Sequence, residues 1–118
     1  PKTLPGEFWK DSLLFLEDCG EELSRVDRML LHLRRSGILK DAAGIIMGQF
    51  TDSKDTGRPF GFTLEEIIRE HTESLGVPVV MNAPFGHGKD LYAFPVGVKA
   101  ALDTQKKTLK LTGPLARK

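Results

Sequence analysis

Three short, nearly continuous apolar runs restrict the possible folds of this chain more than any other feature. They span residues 12–16, 43–48 and 77–81, and each is followed by polar residues. A run of this length without polar alternation is typical of a strand covered on both faces. We therefore expect three buried strands, and Pro78 is acceptable in the third because it lies near the start of that strand.

The segments between these runs have the pattern of amphipathic helices. Over residues 22–35, apolar side chains recur on one side of a helix, and Gly37 is expected to end it. The second helix begins with a capping box, in which Thr63 is the N-cap and Glu66 follows three residues later, and Gly76 ends it. The order β-α-β-α-β predicts an α/β fold with a mostly parallel sheet covered by helices.

The rest of the chain predicts an antiparallel hairpin. After a loop over residues 82–89, strand-like runs at 92–102 and 108–112 are separated by the turn-forming residues 103–106. A chain of 118 residues is long enough to bury one hydrophobic core. We therefore expect a single domain over residues 1–118.

Composition excludes several classes of protein. The 17 Lys and Arg residues balance 16 Asp and Glu, with no basic and aromatic cluster, so a nucleic-acid surface is not expected. No apolar run approaches the ~18 residues of a membrane span. Cys19 stands alone, which excludes an internal disulfide and fits a reducing compartment such as the cytoplasm. Because the chain begins at Pro1 without an initiator Met or a secretory leader, we expect a processed product or part of a longer protein.

Polar side chains follow each predicted strand, at the edge where the carboxyl ends of parallel strands meet. Ligands and catalytic groups gather at this edge in α/β proteins. Glu17 and His87 are therefore expected close together, although they are far apart in the chain. The polar residues that follow the three strands are Glu17 and Asp18, Gln49 and Asp52, and Asn82 and His87.

His87 is the strongest candidate for acid–base chemistry. Gly86 and Gly88 flank it, so the backbone can present the imidazole instead of packing it. A histidine titrates near neutral pH and suits a general base when a carboxylate holds its other ring nitrogen, and Glu17 is the candidate for that role. The alternative is a solvated loop histidine beside an ordinary acid.

The other two histidines have ordinary structural explanations. His71 lies on the apolar stripe of the second helix, so we expect a hydrogen-bonded histidine in or near the core. His32 lies on the polar face of the first helix and is expected in solvent. A base also needs a group to deprotonate, and none of the serines lies in a G-x-S-x-G or comparable turn.

Other kinds of site have weak support. The Walker pattern requires Gly where Ala83 stands and Ser or Thr where Asp90 stands, which argues against a phosphate loop. A metal site from Glu17, Asp52 and His87 remains open, but no typical ligand spacing supports it. Cys19 is an alternative nucleophile, although a small residue after a strand is the simpler explanation.

Several motifs together resemble the C-terminal domain of the LD-carboxypeptidase family. This family of serine peptidases includes muramoyltetrapeptide carboxypeptidases and microcin self-immunity peptidases. The resemblance covers roughly residues 12–111. The motifs are LFLED at 14–18, VDRML at 26–30, GIIMGQFTD at 44–52, LGVPV at 75–79 and PFGHG at 84–88.

The resemblance implies a Ser-Glu-His triad divided between two domains. Glu17 and His87 match the catalytic Glu and His of the family, while the Ser belongs to an N-terminal domain that this chain lacks. The implied fold is a swivelling β/β/α-type domain, and no cofactor or metal is implied. Cys19 takes a place where the family has a small apolar residue.

The resemblance also implies a substrate and partners. The family enzyme removes a terminal D-amino acid from a cytoplasmic tetrapeptide during cell-wall recycling, and Gln49 and Lys89 are candidates for contacting that substrate. The chain alone is expected to be inactive without its N-terminal nucleophile domain, and the full-length enzyme could form a homodimer. A microcin-type peptidase and a non-catalytic binding module of the same fold remain as alternatives.

Overall fold

Three parallel strands form the sheet that the sequence predicts. The computed structural model describes residues 4–55 and 57–114, so the start of the chain at Pro1 lies outside the described residues. Strands β1 (Leu13–Leu16), β2 (Gly44–Gln49) and β3 (Val79–Gly86) lie in the order β1-β2-β3, and both neighbouring pairs are parallel. All three strands therefore end at the same edge of the sheet.

Two amphipathic helices connect the strands, as predicted, with one short helix between them. Helix α1 is Leu23–Arg35, α2 is Ile38–Asp41, and α3 is Leu64–Thr72. A 3₁₀ turn, Glu73–Leu75, extends α3 towards Gly76. The sequence did not predict α2, because a single helical turn is too short to display a hydrophobic period.

The predicted capping box starts helix α3. The Thr63 hydroxyl accepts a hydrogen bond from the Glu66 backbone N–H at 3.2 Å, and the Glu66 carboxylate accepts one from the Thr63 N–H at 3.1 Å. Two N–H groups that the helix cannot satisfy by itself therefore find acceptors. This end of α3 lies beside the edge of the sheet where the strands end.

The core lies between the helices and one face of the sheet. Strand β2 is buried over nearly its whole length, whereas β1 and most of β3 are only half-buried. The prediction of three strands covered on both faces is wrong for β1 and β3, because each is an edge strand of a three-stranded sheet. The buried apolar core residues are Val26, Leu30, Leu39, Ala42, Ile45, Met47, Ile67 and Ile68.

The opposite face of the sheet is partly covered by the predicted hairpin. Strands β4 (Ala100–Asp103) and β5 (Thr108–Leu111) pair antiparallel, and Leu102 of β4 packs over Gly44 of β2. The first hairpin strand begins at residue 100, not at residue 92 as predicted. The chain before it contains Pro95, which cannot donate to a strand ladder.

Strand β3 is longer and less regular than predicted, and this matters for the site. The predicted loop over residues 82–89 is wrong for 82–86, which continue the strand. Between the pairs Ile46–Val80 and Gln49–Gly86, β3 advances from residue 80 to 86 while β2 advances only from 46 to 49, so the pairing register shifts twice. Asn82 adopts a left-handed backbone (φ 60°) within this bulged stretch.

The chain thus has an α/β fold, in which a parallel three-stranded sheet and its helices are followed by an antiparallel strand pair. Within the described ranges, every helix falls short of the length and apolar character that crossing a bilayer requires.

Candidate active site

Glu17 is held where β1 ends by two glycines of the neighbouring strands. A Cβ atom on Gly48 would lie 2.9 Å from both the Cβ of Glu17 and the ring of Phe85, and a Cβ on Gly86 would lie 2.8 Å from the Glu17 carboxyl carbon. Such distances are too short for real side chains. The Glu17 side chain can therefore cross the end of β2 towards β3 because both positions are glycine.

His87 follows β3 directly and contacts this carboxylate. Its Nδ1 lies 3.0 Å from Glu17 Oε2, and the predicted contact between the two residues is therefore present. The His87 side chain is 61% exposed, whereas the Glu17 side chain is 22% exposed. Because Nδ1 faces the carboxylate, Nε2 is the ring nitrogen available to a reacting group.

The Glu17 carboxylate changes the pKa of the His87 imidazole. The Glu17 side chain raises the pKa of His87 above its ordinary value of 6.5, first through the hydrogen bond and then through Coulombic attraction. Partial desolvation lowers the pKa, and the charge of Asp18 raises it further. The net effect favours the imidazolium, so His87 is a stronger proton acceptor than a free histidine.

Three phenylalanine rings on the hairpin side of the sheet support the Glu17–His87 pair. Phe15 of β1 stacks on Phe94 with ring centroids 4.3 Å apart, and Phe85 meets both rings edge-on. Phe15 lies two residues before Glu17, and Phe85 lies two residues before His87. The aromatic cluster therefore ties together the strand ends that carry the acid and the base.

His87 lines an open cleft of about 870 Å³ between the ends of β2 and β3 and the start of α3. Clefts of this size hold small-molecule and peptide ligands. The polar residues that the sequence predicted at the ends of the second and third strands line the same cleft. They are Gln49, Asp52, Asn82 and His87, together with the loop residue Lys89.

The two alternative kinds of site, a Cys19 nucleophile and a metal centre, gain no support from the described residues. Cys19 is exposed, and its backbone N–H bonds to the side chain of Asp18. Within residues 4–55 and 57–114, no group of three His, Cys, Asp or Glu side chains is arranged to hold a metal ion, so Glu17, Asp52 and His87 do not form one.

The two remaining histidines have the positions that their helical pattern predicts. His32 is exposed on α1. His71 on α3 is buried and its Nε2 lies 2.7 Å from the Asp27 carboxylate on α1. The expectation of a hydrogen-bonded core histidine is therefore confirmed for His71.

The described part of the cleft offers no exposed hydroxyl to the base. Among its described lining residues, no serine is present and the hydroxyl comes from Thr51. The Thr51 Oγ1 atom is buried and without a hydrogen-bond partner among the described residues. A hydroxyl shielded from solvent is poorly placed to attack a substrate in the cleft.

Sequence analysis missed several residues that shape the site. The sequence places Gly48 within an apolar strand, whereas its role as the space for Glu17 and Phe85 depends on packing between strands. The acids Glu65 and Asp90 also line the cleft. Glu65 belongs to the first turn of a capped helix, which was the available signal that it lies near the strand ends.

Comparison with known proteins gives a consistent picture. The family model described as the LD-carboxypeptidase C-terminal domain matches residues 2–102. A relative from Synechocystis sp. that is named as a carboxypeptidase is 40% identical over 104 residues, covering 86% of this chain and 34% of that protein. The chain spans about a third of the length of the curated relatives it matches.

Solved structures agree with the fold. The muramoyltetrapeptide carboxypeptidase from Oxalobacter formigenes superimposes with a TM-score of 0.74 at 36% identity, covering 86% of this chain and 36% of that chain. The microcin C7 self-immunity protein MccF, a protein known from Escherichia coli, superimposes with a TM-score of 0.79 over 92% of this chain and 32% of its own. Its 22% identity supports a common fold and no more.

Proposed function

Because this chain belongs to the LD-carboxypeptidase family, as its C-terminal domain, we propose that it supplies the base and the orienting acid of a serine carboxypeptidase. In this proposal His87 is the base, Glu17 orients it, and a second domain brings the serine nucleophile. The observation that carries the proposal is the hydrogen bond from Nδ1 of His87, a residue that lines the cleft, to the Glu17 carboxylate.

The chemistry follows the logic of a divided triad. His87 Nε2 accepts the proton of the serine hydroxyl as the oxygen attacks the carbonyl carbon of the substrate amide. The C–N bond then breaks, and the imidazolium returns the proton to the leaving amine. Loss of the amine leaves the acyl group as an ester on the serine oxygen. Water then attacks the ester carbon as it loses a proton to the same nitrogen, the ester C–O bond breaks, and the imidazolium returns that proton to the serine oxygen. Glu17 stabilises the imidazolium in both halves of the reaction.

The proposed substrate is a cell-wall peptide. Two relatives are named as a murein tetrapeptide carboxypeptidase and a muramoyltetrapeptide carboxypeptidase, which supports a tetrapeptide substrate. We propose cleavage of its bond to a terminal D-amino acid, in the cytoplasm. Lys89 and Gln49 line the cleft beside His87, and we propose that the Lys89 ammonium attracts the terminal carboxylate. No cofactor or metal takes part in this proposal.

The alternatives predict different results. A microcin-type peptidase cleaves a peptide–nucleotide conjugate, so a panel of tetrapeptides and acyl sulfamoyl nucleosides separates the two substrates. A non-catalytic module has no need of an oriented imidazole. The 3.0 Å contact lies within the range that acid–base pairs use, and His87 also lines the cleft; together these favour the catalytic proposal.

The test is a reconstituted enzyme. The 118 residues replace the corresponding third of the Pseudomonas aeruginosa murein tetrapeptide carboxypeptidase, and D-alanine release from a tetrapeptide is measured for the fusion and for the chain alone. We expect release from the fusion and none from the chain alone. Release by the isolated chain would overturn the divided triad.

Two variants of the fusion complete the test. His87→Ala is expected to abolish release, and the matched control His32→Ala, which removes an exposed histidine on the far polar face of α1, is expected to retain it. Equal activity of the two variants would contradict the role of His87. Light scattering of the same preparations measures their molar mass and so tests whether the fusion is a homodimer. A single cooperative unfolding transition of residues 1–118 would test whether they behave as one domain.

A further inference from the structure

The loop that carries His87 is contacted on both sides of the histidine by side chains from neighbouring strands. Before it, Gly86 lies against the Glu17 carboxylate. After it, Gly88 lies against the side-chain amide of Gln49. A Cβ atom on Gly88 would fall on Gln49 Oε1 and lie 2.6 Å from Gln49 Cδ. No side chain larger than hydrogen fits at either glycine while these contacts are kept.

The two glycines are required for different reasons. Gly86 has a φ of 99°, which favours glycine whatever surrounds it. Gly88 is not among the glycines with positive φ, so its backbone would accept an L-residue. A side chain at residue 88 would therefore disturb the contact with Gln49 and not the backbone conformation.

Gln49 is well placed to hold this loop. It is the last residue of β2, the central and most buried strand, and its backbone pairs with Gly86 in the sheet register. One residue thus contacts the loop twice, through its backbone before His87 and through its side chain after it. A contact that starts from a rigid strand restrains a loop better than one from another loop.

We propose that Gln49 is a positioning residue for His87: its amide packs against Gly88 and keeps the imidazole on Glu17. The catalytic meaning of this proposal rests on the proposed function, whereas the contact itself can be tested without any activity. The role differs from contacting the substrate, because it acts through the backbone of the loop.

The contact is tested in the 118-residue chain by following the His87 ring by NMR as the pH is varied. Gly88→Ala is expected to displace the Gln49 amide, weaken the contact to Glu17 and bring the His87 pKa closer to its ordinary value. Gln49→Ala is expected to change the pKa in the same direction, by less. Gly6→Ala is the matched control, because Gly6 has open space and no positive φ, and it is expected to change nothing.

The double variant Gln49→Ala/Gly88→Ala makes the test specific. An alanine at residue 88 would lie 3.4 Å from Gln49 Cβ, an ordinary contact, so trimming the amide makes room for it. We expect the double variant to resemble Gln49→Ala, with the Gly88→Ala effect removed. If Gly88→Ala has no effect, or has the same effect in both backgrounds, the proposal is wrong. His71 signals report in each spectrum whether the fold is intact.

The reconstituted enzyme supplies a second measurement. A positioning role predicts that Gln49→Ala lowers kcat, by at most on the order of 10²-fold, with little change in KM. A substrate contact predicts mainly a higher KM. An inactive fusion would contradict the proposed function, but the NMR test of the contact between Gln49 and Gly88 would remain valid. If Gly88→Ala does not fold, the proposal is still tested by comparing Gln49→Ala with Gln105→Ala, a control variant in an exposed turn.

Discussion

Among the described residues, two histidine–carboxylate pairs use similar chemical groups in opposite environments. His71 Nε2 lies 2.7 Å from Asp27 between α1 and α3, and the His71 side chain is 4% exposed. His87 Nδ1 lies 3.0 Å from Glu17 at the edge of the sheet, and the His87 side chain is 61% exposed. One pair lies within helix packing and the other faces a cleft.

The difference shows what a short hydrogen bond does and does not say about function. The buried pair joins two helices, and the second ring nitrogen of His71 finds no hydrogen-bond partner among the described residues. The exposed pair adds little to packing but leaves its second ring nitrogen open to a ligand. Access to the cleft, and not the length of the hydrogen bond, separates the proposed catalytic histidine from the structural one.

The largest expected effect is on catalysis. In the reconstituted enzyme, His87→Ala and Glu17→Ala are each expected to lower kcat by on the order of 10⁴-fold, because the serine loses its proton acceptor or the acceptor loses its orientation. His71→Gln, which keeps an N–H near Asp27, is expected to retain activity per folded molecule. Steady-state assays at matched concentrations of folded enzyme make the comparison. A large loss of kcat in His71→Gln would remove the distinction between the pairs.

The second-largest effect is on stability, and it concerns the buried pair of His71 and Asp27. His71→Ala is expected to lower the free energy of unfolding by about 2 to 3 kcal/mol, because it leaves a cavity and an Asp27 carboxylate without its donor. His71→Gln is expected to lose less. His87→Ala should leave the urea midpoint almost unchanged. Equal midpoints for His71→Ala and His87→Ala would contradict the assignment of the structural role.

The third effect is on titration. Glu17→Gln is expected to bring the pKa of His87 down towards 6.5, because the carboxylate raises it through a hydrogen bond and through charge. The raised pKa means that the pair stabilises the fold at pH values below about 6.5, where the imidazole is protonated, and that this contribution is lost as the pH rises through the pKa of the folded state. NMR titration of the His87 ring measures both pKa values.

The smallest expected effect comes from the neighbouring acid. Asp18→Asn should also lower the pKa of His87, but by less than Glu17→Gln, since its charge acts from a distance and is the weakest of the contributions. Added salt should shrink the Asp18 effect more than the Glu17 effect. A shift in Asp18→Asn that equals the shift in Glu17→Gln would mean that general charge, and not the hydrogen bond, controls the base.

The sequence predicted the parts of this comparison that depend on hydrophobic pattern. The runs at 12–16, 43–48 and 77–81 fixed which strand ends meet, and from that alone Glu17 and His87 were expected together. The helical stripe likewise predicted that His71 is buried and that His32 is exposed. These properties follow from periodicity, which is read directly from the order of the residues.

The remaining features depend on packing that no local pattern reports. The bulge of β3 at Asn82 lengthens the strand, and a single residue in a left-handed conformation leaves no periodic signal. The contacts of Glu17 with Gly48 and of Gln49 with Gly88 join residues on different strands. The hairpin strand begins late because Pro95 and the left-handed Gly97 (φ 81°) interrupt a run that is otherwise apolar and strand-like.

The contact between Glu17 and His87 joins residues 70 positions apart. Closing a flexible loop of that length costs about 4 kcal/mol of chain entropy, and an exposed ion pair is too weak to offset it. The pairing of β3 with β2 must bring the two residues together first. The proposed catalytic pair is therefore assembled by the last strand of the sheet, so its NMR signature reports on whether folding of the whole β-α-β-α-β unit is complete.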